Sequence, residues 1–274
     1  MALGYLATRL AWLAVRSSFT SSPSLARPNY RGRSVPTVAG LLIPVAVLVV
    51  EAIRVVAGSL SLGPDIDPAE PWLLVLVATS GFAVLGAIDD LVGTGDQRGF
   101  RGHLAALLRG RPTTGVLKLV GGGCVALAVV GPVAGDSPAN LLADAALVAL
   151  AANLGNLLDR APGRAIKVST LTFGILVAVV GLEPALAPVA AVVGAGLGLL
   201  LDDLHEHLML GDAGSNVLGA VLGLGVVLSV GPTARDVVLG ALIALNAAGE
   251  VVSFSRVIEA VPPLRALDRA GRRP

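Results

Sequence analysis

Pro71–Asp90 reads PWLLVLVATSGFAVLGAIDD: eighteen residues without a formal charge, ending on two adjacent carboxylates, Asp89 and Asp90. An apolar run of that length matches the hydrocarbon thickness of a bilayer when wound as a helix. Comparable runs recur at 37–54, 114–134, 138–158, 165–182, 183–202, 214–231 and 233–252. A further segment at 2–16, ALGYLATRLAWLAVR, carries Arg9 and Arg16 without a small-residue cleavage site and is read as a retained helix rather than a signal peptide. With 54% hydrophobic and only 14% charged residues among 274, the composition excludes an ordinary soluble domain. The expected fold is all-α: one polytopic membrane bundle of about 9–10 transmembrane helices spanning residues 1–274, with its active-site loops on the cytoplasmic side.

Cationic residues gather at Arg27/Arg31/Arg33, at Arg98/Arg101/Arg109/Arg111/Lys118, at Arg160/Arg164/Lys167 and at Arg256/Arg265/Arg269/Arg272/Arg273. The intervening loops near 59–70, 135–137 and 182–185 have none, and the one near 231–236 has only Arg235. Cytoplasmic loops are enriched in Lys and Arg, so the alternation predicts a multi-pass protein of the plasma (inner) membrane, its N-terminus outside and its C-terminus cytoplasmic. The lone Cys124 excludes an intrachain disulfide or a multi-cysteine metal site and is read as a packing residue. Dispersed arginines and 3% aromatic residues give no sign of nucleic-acid binding.

Carboxylates at the C-terminal end of a helix oppose its macrodipole, so Asp89 and Asp90 call for a nearby cation. A solvated loop edge is the bland alternative. Asn153, Asn156 and Asp159 recur every third residue, forming one helical stripe that runs into a basic turn. That stripe serves equally for hydrogen bonding between helices. Asp212, in Gly211-Asp212-Ala-Gly-Ser215, precedes an apolar run and either caps it or faces a ligand. The predicted topology puts all four aspartates at one membrane face, where carboxylates beside basic residues and a Mg²⁺ form a receptor for phosphate or diphosphate.

With Lys118, these residues resemble the polyprenyl-phosphate N-acetylhexosamine-1-phosphate transferases, glycosyltransferase family 4, which include phospho-N-acetylmuramoyl-pentapeptide transferase. Pro36-Thr37-Val-Ala-Gly40 is similar to the family's Pro-Thr-x-Gly-Gly segment, and Ile88-Asp89-Asp90 to its paired-aspartate motif. Asn153-x-x-Asn156-x-x-Asp159 resembles Asn-x-x-Asn-x-x-Asp-Gly, and the stretch at Asp212 resembles Gly-Asp-x-Gly-Ser. The likeness runs along nearly the whole chain, as a divergent member. It implies Mg²⁺-dependent transfer of a sugar 1-phosphate from a nucleotide-activated amino sugar to a polyprenyl phosphate, for cell-envelope glycan synthesis, by a homodimer.

In that reading Asp212 holds Mg²⁺, with Mn²⁺ as a substitute, while Asp89, Asp90, Asp159 and Lys118 are catalytic. Asn153, Asn156, Arg98, Arg101, Arg164, Lys167 and Arg33 contact the substrates. Direct attack by the lipid phosphate is favoured, with a basic role for Asp89 or Asp90 as its competitor. Two departures leave the donor nucleotide open: Arg160 follows Asp159 where the family has glycine, and Pro162 takes a second aspartate's place. The family's late histidine-rich motif is also missing, and His205 and His207 are read as loop residues. A catalytically silent homologue that binds lipid or an envelope partner stays open, as does, with less support, a transporter using Glu51/Arg54 and Asn246/Glu250.

Overall fold

The computed structural model describes residues 1–62, 69–93 and 114–273. Its long helices are α1 (Ala2–Ser21), α2 (Leu42–Ser59), α3 (Ala69–Val92), α4 (Thr114–Val130), α5 (Pro138–Leu158), α6 (Arg164–Val180), α7 (Ala187–Leu204), α8 (Asp212–Ser229) and α9 (Pro232–Val251). Two short helices follow, α10 (Phe254–Ala260) and α11 (Pro262–Arg269). A small antiparallel hairpin, β1 (Ala26–Pro28) with β2 (Ser34–Pro36), pairs Arg27 with Val35. The protein is an all-α bundle, 80% helical.

Among the described residues, five helical stretches are long and apolar enough to cross a membrane: Ala39–Ser59, Glu70–Val92, Pro138–Leu158, Pro184–Leu204 and Asp212–Ser229. A sixth appears if α9 and α10, bent by 93°, count as one broken span. This is fewer than the nine to ten expected, although a helix stands at each of the nine expected places. The shortfall has a plain cause in each case. Helix α4 is 17 residues long; α6 has the same length and carries Arg164 and Lys167 in its first turn; α1 carries Arg9 and Arg16. The chain is a multi-pass membrane protein by these apolar helices.

Helix α8 lies at the centre and is buried along nearly all its length, from Ala213 to Val227. It can be surrounded so closely because glycines stand at the crossings. A Cβ on Gly219 of α8 would fall 2.1 Å from the Ala151 carbonyl oxygen of α5, and one on Gly155 of α5 only 2.4 Å from the Ser215 carbonyl oxygen. Gly86 of α3 is as tight, 2.3 Å from the Asp212 carbonyl oxygen. Helices in lipid gain little from apolar contact with one another, so association depends on such close van der Waals approach. Helix α1 runs beside α7 in the same direction, with Gly4 against Ala191 and Gly198 against Tyr5.

Several polar side chains inside the bundle are paired with one another. The Arg54 guanidinium donates to both carboxylate oxygens of Glu51, at 2.7 and 2.6 Å, and lies over the Trp72 ring. Arg235 of α9 reaches the buried Asp144 of α5 at 2.8 Å. Cys124, expected as a packing residue, is instead exposed on α4.

Candidate active site

Chain direction brings the C-terminal ends of α3, α5 and α7 and the N-terminal ends of α4, α6 and α8 to one end of the bundle. The segment before α2 joins them there. Residues 37–40 were expected to begin a helix, but Thr37 and Val38 are irregular and Ala39–Leu41 form a single 3-10 turn before α2 opens at Leu42, because neighbouring backbone takes hydrogen bonds along this segment. The Met209 amide donates to the Pro36 carbonyl at 2.8 Å, and the Gly40 amide to the Leu210 carbonyl at 3.0 Å. Gly40 has no room for a side chain: its Cβ would lie 2.2 Å from the Gly214 nitrogen. The Pro36–Gly40 segment is thereby fixed against the start of α8.

Helix α8 begins on Asp212. Asp90 reaches across from the last turn of α3 and accepts the Asp212 amide on Oδ1 and the Ala213 amide on Oδ2, each at 3.1 Å. These are two of the amides a helix leaves unsatisfied at its N-terminus. A carboxylate that the α3 dipole disfavours is thus held by the positive end of the α8 dipole. Gly211, at φ +71°, lets the chain turn into α8; its Cβ would sit 2.5 Å from Asp90 Oδ2.

The Asp212 carboxylate is oriented from two further helices. Lys118, in the first turns of α4, pairs with Asp212 Oδ2, and Asn156, in the last turn of α5, donates to the same oxygen at 3.1 Å. Lys118 also lies 3.7 Å from Asp89 Oδ2. Asp159 caps the end of α5, where its carboxyl is pushed well above the usual range by burial and by the charges of Asp203, Asp212 and Asp90. The four expected aspartates, Lys118 and Asn156 therefore meet at one place. Asp203, buried near the end of α7 and accepting the Gly163 amide at 2.9 Å, adds a carboxylate that sequence reasoning passed over.

Other expected contact residues are engaged elsewhere. Asn153 donates to Asn246 of α9 at 2.7 Å, tying α5 to α9. Arg164 is buried against Asp268 of α11, and Lys167 donates to the carbonyls of Leu267, Asp268 and Ala270. Arg33, at the base of the hairpin turn, lies 3.6 Å from Glu206. Arg98 and Arg101 fall outside the described residues. His207 contacts Asp202 at 3.1 Å in the turn after α7, as a loop residue would.

No family model matches the chain, and no curated protein matches it.

Among the described residues, no three His, Cys, Asp or Glu side chains are grouped so as to hold a metal unaided. The donors are nonetheless of the right kind for Mg²⁺, which binds through one or two carboxylates and completes its shell with water and phosphate oxygens. Asp212, with Asp89 beside the same lysine, offers such carboxylates. Lys118 offers a charge to neutralise phosphate.

Proposed function

We propose that the protein is a phosphoglycosyl transferase of the polyprenyl-phosphate N-acetylhexosamine-1-phosphate transferase type, acting at the cytoplasmic face of the plasma membrane in cell-envelope glycan synthesis. One observation carries this reading: Asp89 and Asp90, Lys118, Asn156, Asp159 and Asp212, drawn from four helices, converge on the N-terminus of α8 at one end of a membrane bundle. Ionisable groups so placed are costly unless they serve a function. Carboxylates, a lysine and a helix N-terminus together suit a phosphorylated ligand with its metal.

In this reading Asp212, with Asp89, holds Mg²⁺, which supplies charge neutralisation on the donor diphosphate. Asp90 fixes the first turn of α8, and through it the position of Asp212. Asn156 sets the rotamer of Asp212 by its hydrogen bond. Lys118 places an ammonium group between Asp89 and Asp212, where the phosphates arrive. A lipid phosphate has its second pKa near 6 and is mostly dianionic at neutral pH, so its oxygen attacks the sugar-bearing phosphorus without a strong base. The new P–O bond forms to the lipid as the bond to the nucleoside monophosphate breaks.

The test is release of nucleoside monophosphate by protein in nanodiscs given polyprenyl phosphate, Mg²⁺ and a panel of nucleotide sugars. Turnover should need lipid phosphate and Mg²⁺, and Asp212→Asn should lower it by about 10²- to 10³-fold. No turnover across the panel by folded protein would overturn the reading in favour of a silent, lipid-binding homologue, and turnover indifferent to Asp212 would overturn the role given to that carboxylate.

A further inference from the structure

The chain beyond α9 turns through 93° into α10, so if α9 crosses the membrane the tail lies across that direction, in the plane of the interface. Helices α10 and α11 are tied down from inside. Arg164 grips Asp268 through both oxygens, at 2.8 and 2.9 Å, and Arg272 donates to the Pro162 carbonyl at 3.0 Å. Between the tail, the turn at 160–164 and the hairpin tip is a cleft of about 850 Å³ lined by seven arginines and two carboxylates, Glu259 and Asp268.

The carboxylates do not balance the arginines. Arg164 and Arg272 share Asp268, Arg269 pairs with Glu259, and Arg31 pairs with Glu206. Arg160 faces Asp159, and Arg256 and Arg273 remain, lining the cleft with no ion pair among the described residues. Beside this charge the tail exposes an apolar edge: Val257, Val261, Leu264 and Leu267 are 41%, 39%, 46% and 60% exposed. A short amphipathic segment with arginines on one side and aliphatic residues on the other is built for the headgroup–acyl boundary.

We propose that this cleft binds the phosphate headgroup of an anionic membrane phospholipid, with the acyl chains against Val257, Val261, Leu264 and Leu267. Guanidinium groups match phosphate oxygens in pairs, and two uncompensated ones supply the charge that a zwitterionic headgroup would not repay. The proposal rests on the tail's geometry and does not depend on the transfer reaction.

The experiment is native mass spectrometry of the full chain in detergent, titrated with dioctanoyl phosphatidylglycerol, dioctanoyl phosphatidylcholine or glycerol 3-phosphate. Phosphatidylglycerol should bind at least about tenfold more tightly than either of the others. The double variant Arg256→Gln/Arg273→Gln, which removes two cations near an anionic surface, should weaken it about 30-fold and leave phosphatidylcholine unchanged. Arg256→Lys/Arg273→Lys should retain most of the affinity, which separates charge from folding. Equal binding of the two lipids, or an unaltered Gln variant, would overturn the proposal. Glycerol 3-phosphate binding as tightly as the lipid would overturn it in favour of a soluble phosphate ligand.

Discussion

Replacing Asp268 by asparagine strikes the contact that holds the tail to the bundle. The side chains of Arg164 and Asp268 are 6% and 7% exposed, and the guanidinium makes two parallel hydrogen bonds to the carboxylate. Removing one member of a buried pair costs about 3–5 kcal/mol, because the other charge is left without its partner. Asp268 also takes Arg272 at 2.5 Å, so the loss falls on two arginines. The least costly escape for the chain is to release α10 and α11 and let Arg164 reach water. In that event the opening equilibrium rises by about 10² to 10⁴, and trypsin cleavage at Arg265 and Arg269 rises with it while the helices of the bundle stay intact. The assay is cleavage rate in nanodiscs, read by mass of the released tail peptides. Arg164→Met/Asp268→Leu should recover part of the protection, since an apolar pair replaces the most buried ion pair while Arg272 alone is left without its carboxylate. A change in rate below about threefold on Asp268→Asn would refute the reasoning, as would faster cleavage spread equally over the loops.

Gly86→Ala places a methyl group 2.3 Å from the Asp212 carbonyl oxygen, whereas Gly123→Ala meets nothing within 4 Å. The first should cost about 1–3 kcal/mol and the second stay near neutral, seen as thermal midpoints of the two variants side by side; equal midpoints would count against the tight α3–α8 crossing. Burial and neighbouring carboxylates raise the Asp159 pKa above its ordinary value, so the folded state disfavours its charged form. The stability that follows is complete below the ordinary carboxylate range and is lost as pH rises through the raised folded value. Asp159→Asn should therefore be more stable than the wild type at pH 8, with the gain shrinking towards pH 4; a gain that does not vary with pH would sink this assignment.

The helices were legible because length and apolarity suffice to mark them: Pro138–Leu158 and Thr114–Val130 begin where the hydropathy pattern places them. The start of α2 was not, since the Pro36–Gly40 segment takes its conformation from residues 209 and 210, far away in the chain. At the site, the motif aspartates and Lys118 could be read in advance as a charged cluster. Which cation met which anion could not. Arg164 and Lys167 stand in the sequence as free loop cations, yet both are spent on the tail, and nothing in PPLRALDRAGRRP marks Asp268 as their partner. Asn153 belongs to the same stripe as Asn156, but a turn of helix separates them, and that turn directs one to α9 and the other to Asp212.

Helix α8 has a mean hydropathy of 1.4, the lowest of the five spanning helices, and is the most enclosed, with 78% of its span buried; Ala39–Ser59, at 2.3, is 44% buried. Its glycines and polar first turn would make poor contact with lipid, so its solvent is the other helices. That imposes an order on biogenesis. The walls of its groove, α3, α5, α6 and α7, are synthesised before it, and must stand in the membrane with the groove vacant until α8 emerges and fills it. A chain interrupted before Asp212 would leave Asp90 of α3 and Asn156 of α5 without the first turn of α8 that they bind, so the aspartate cluster comes together only once α8 has been made.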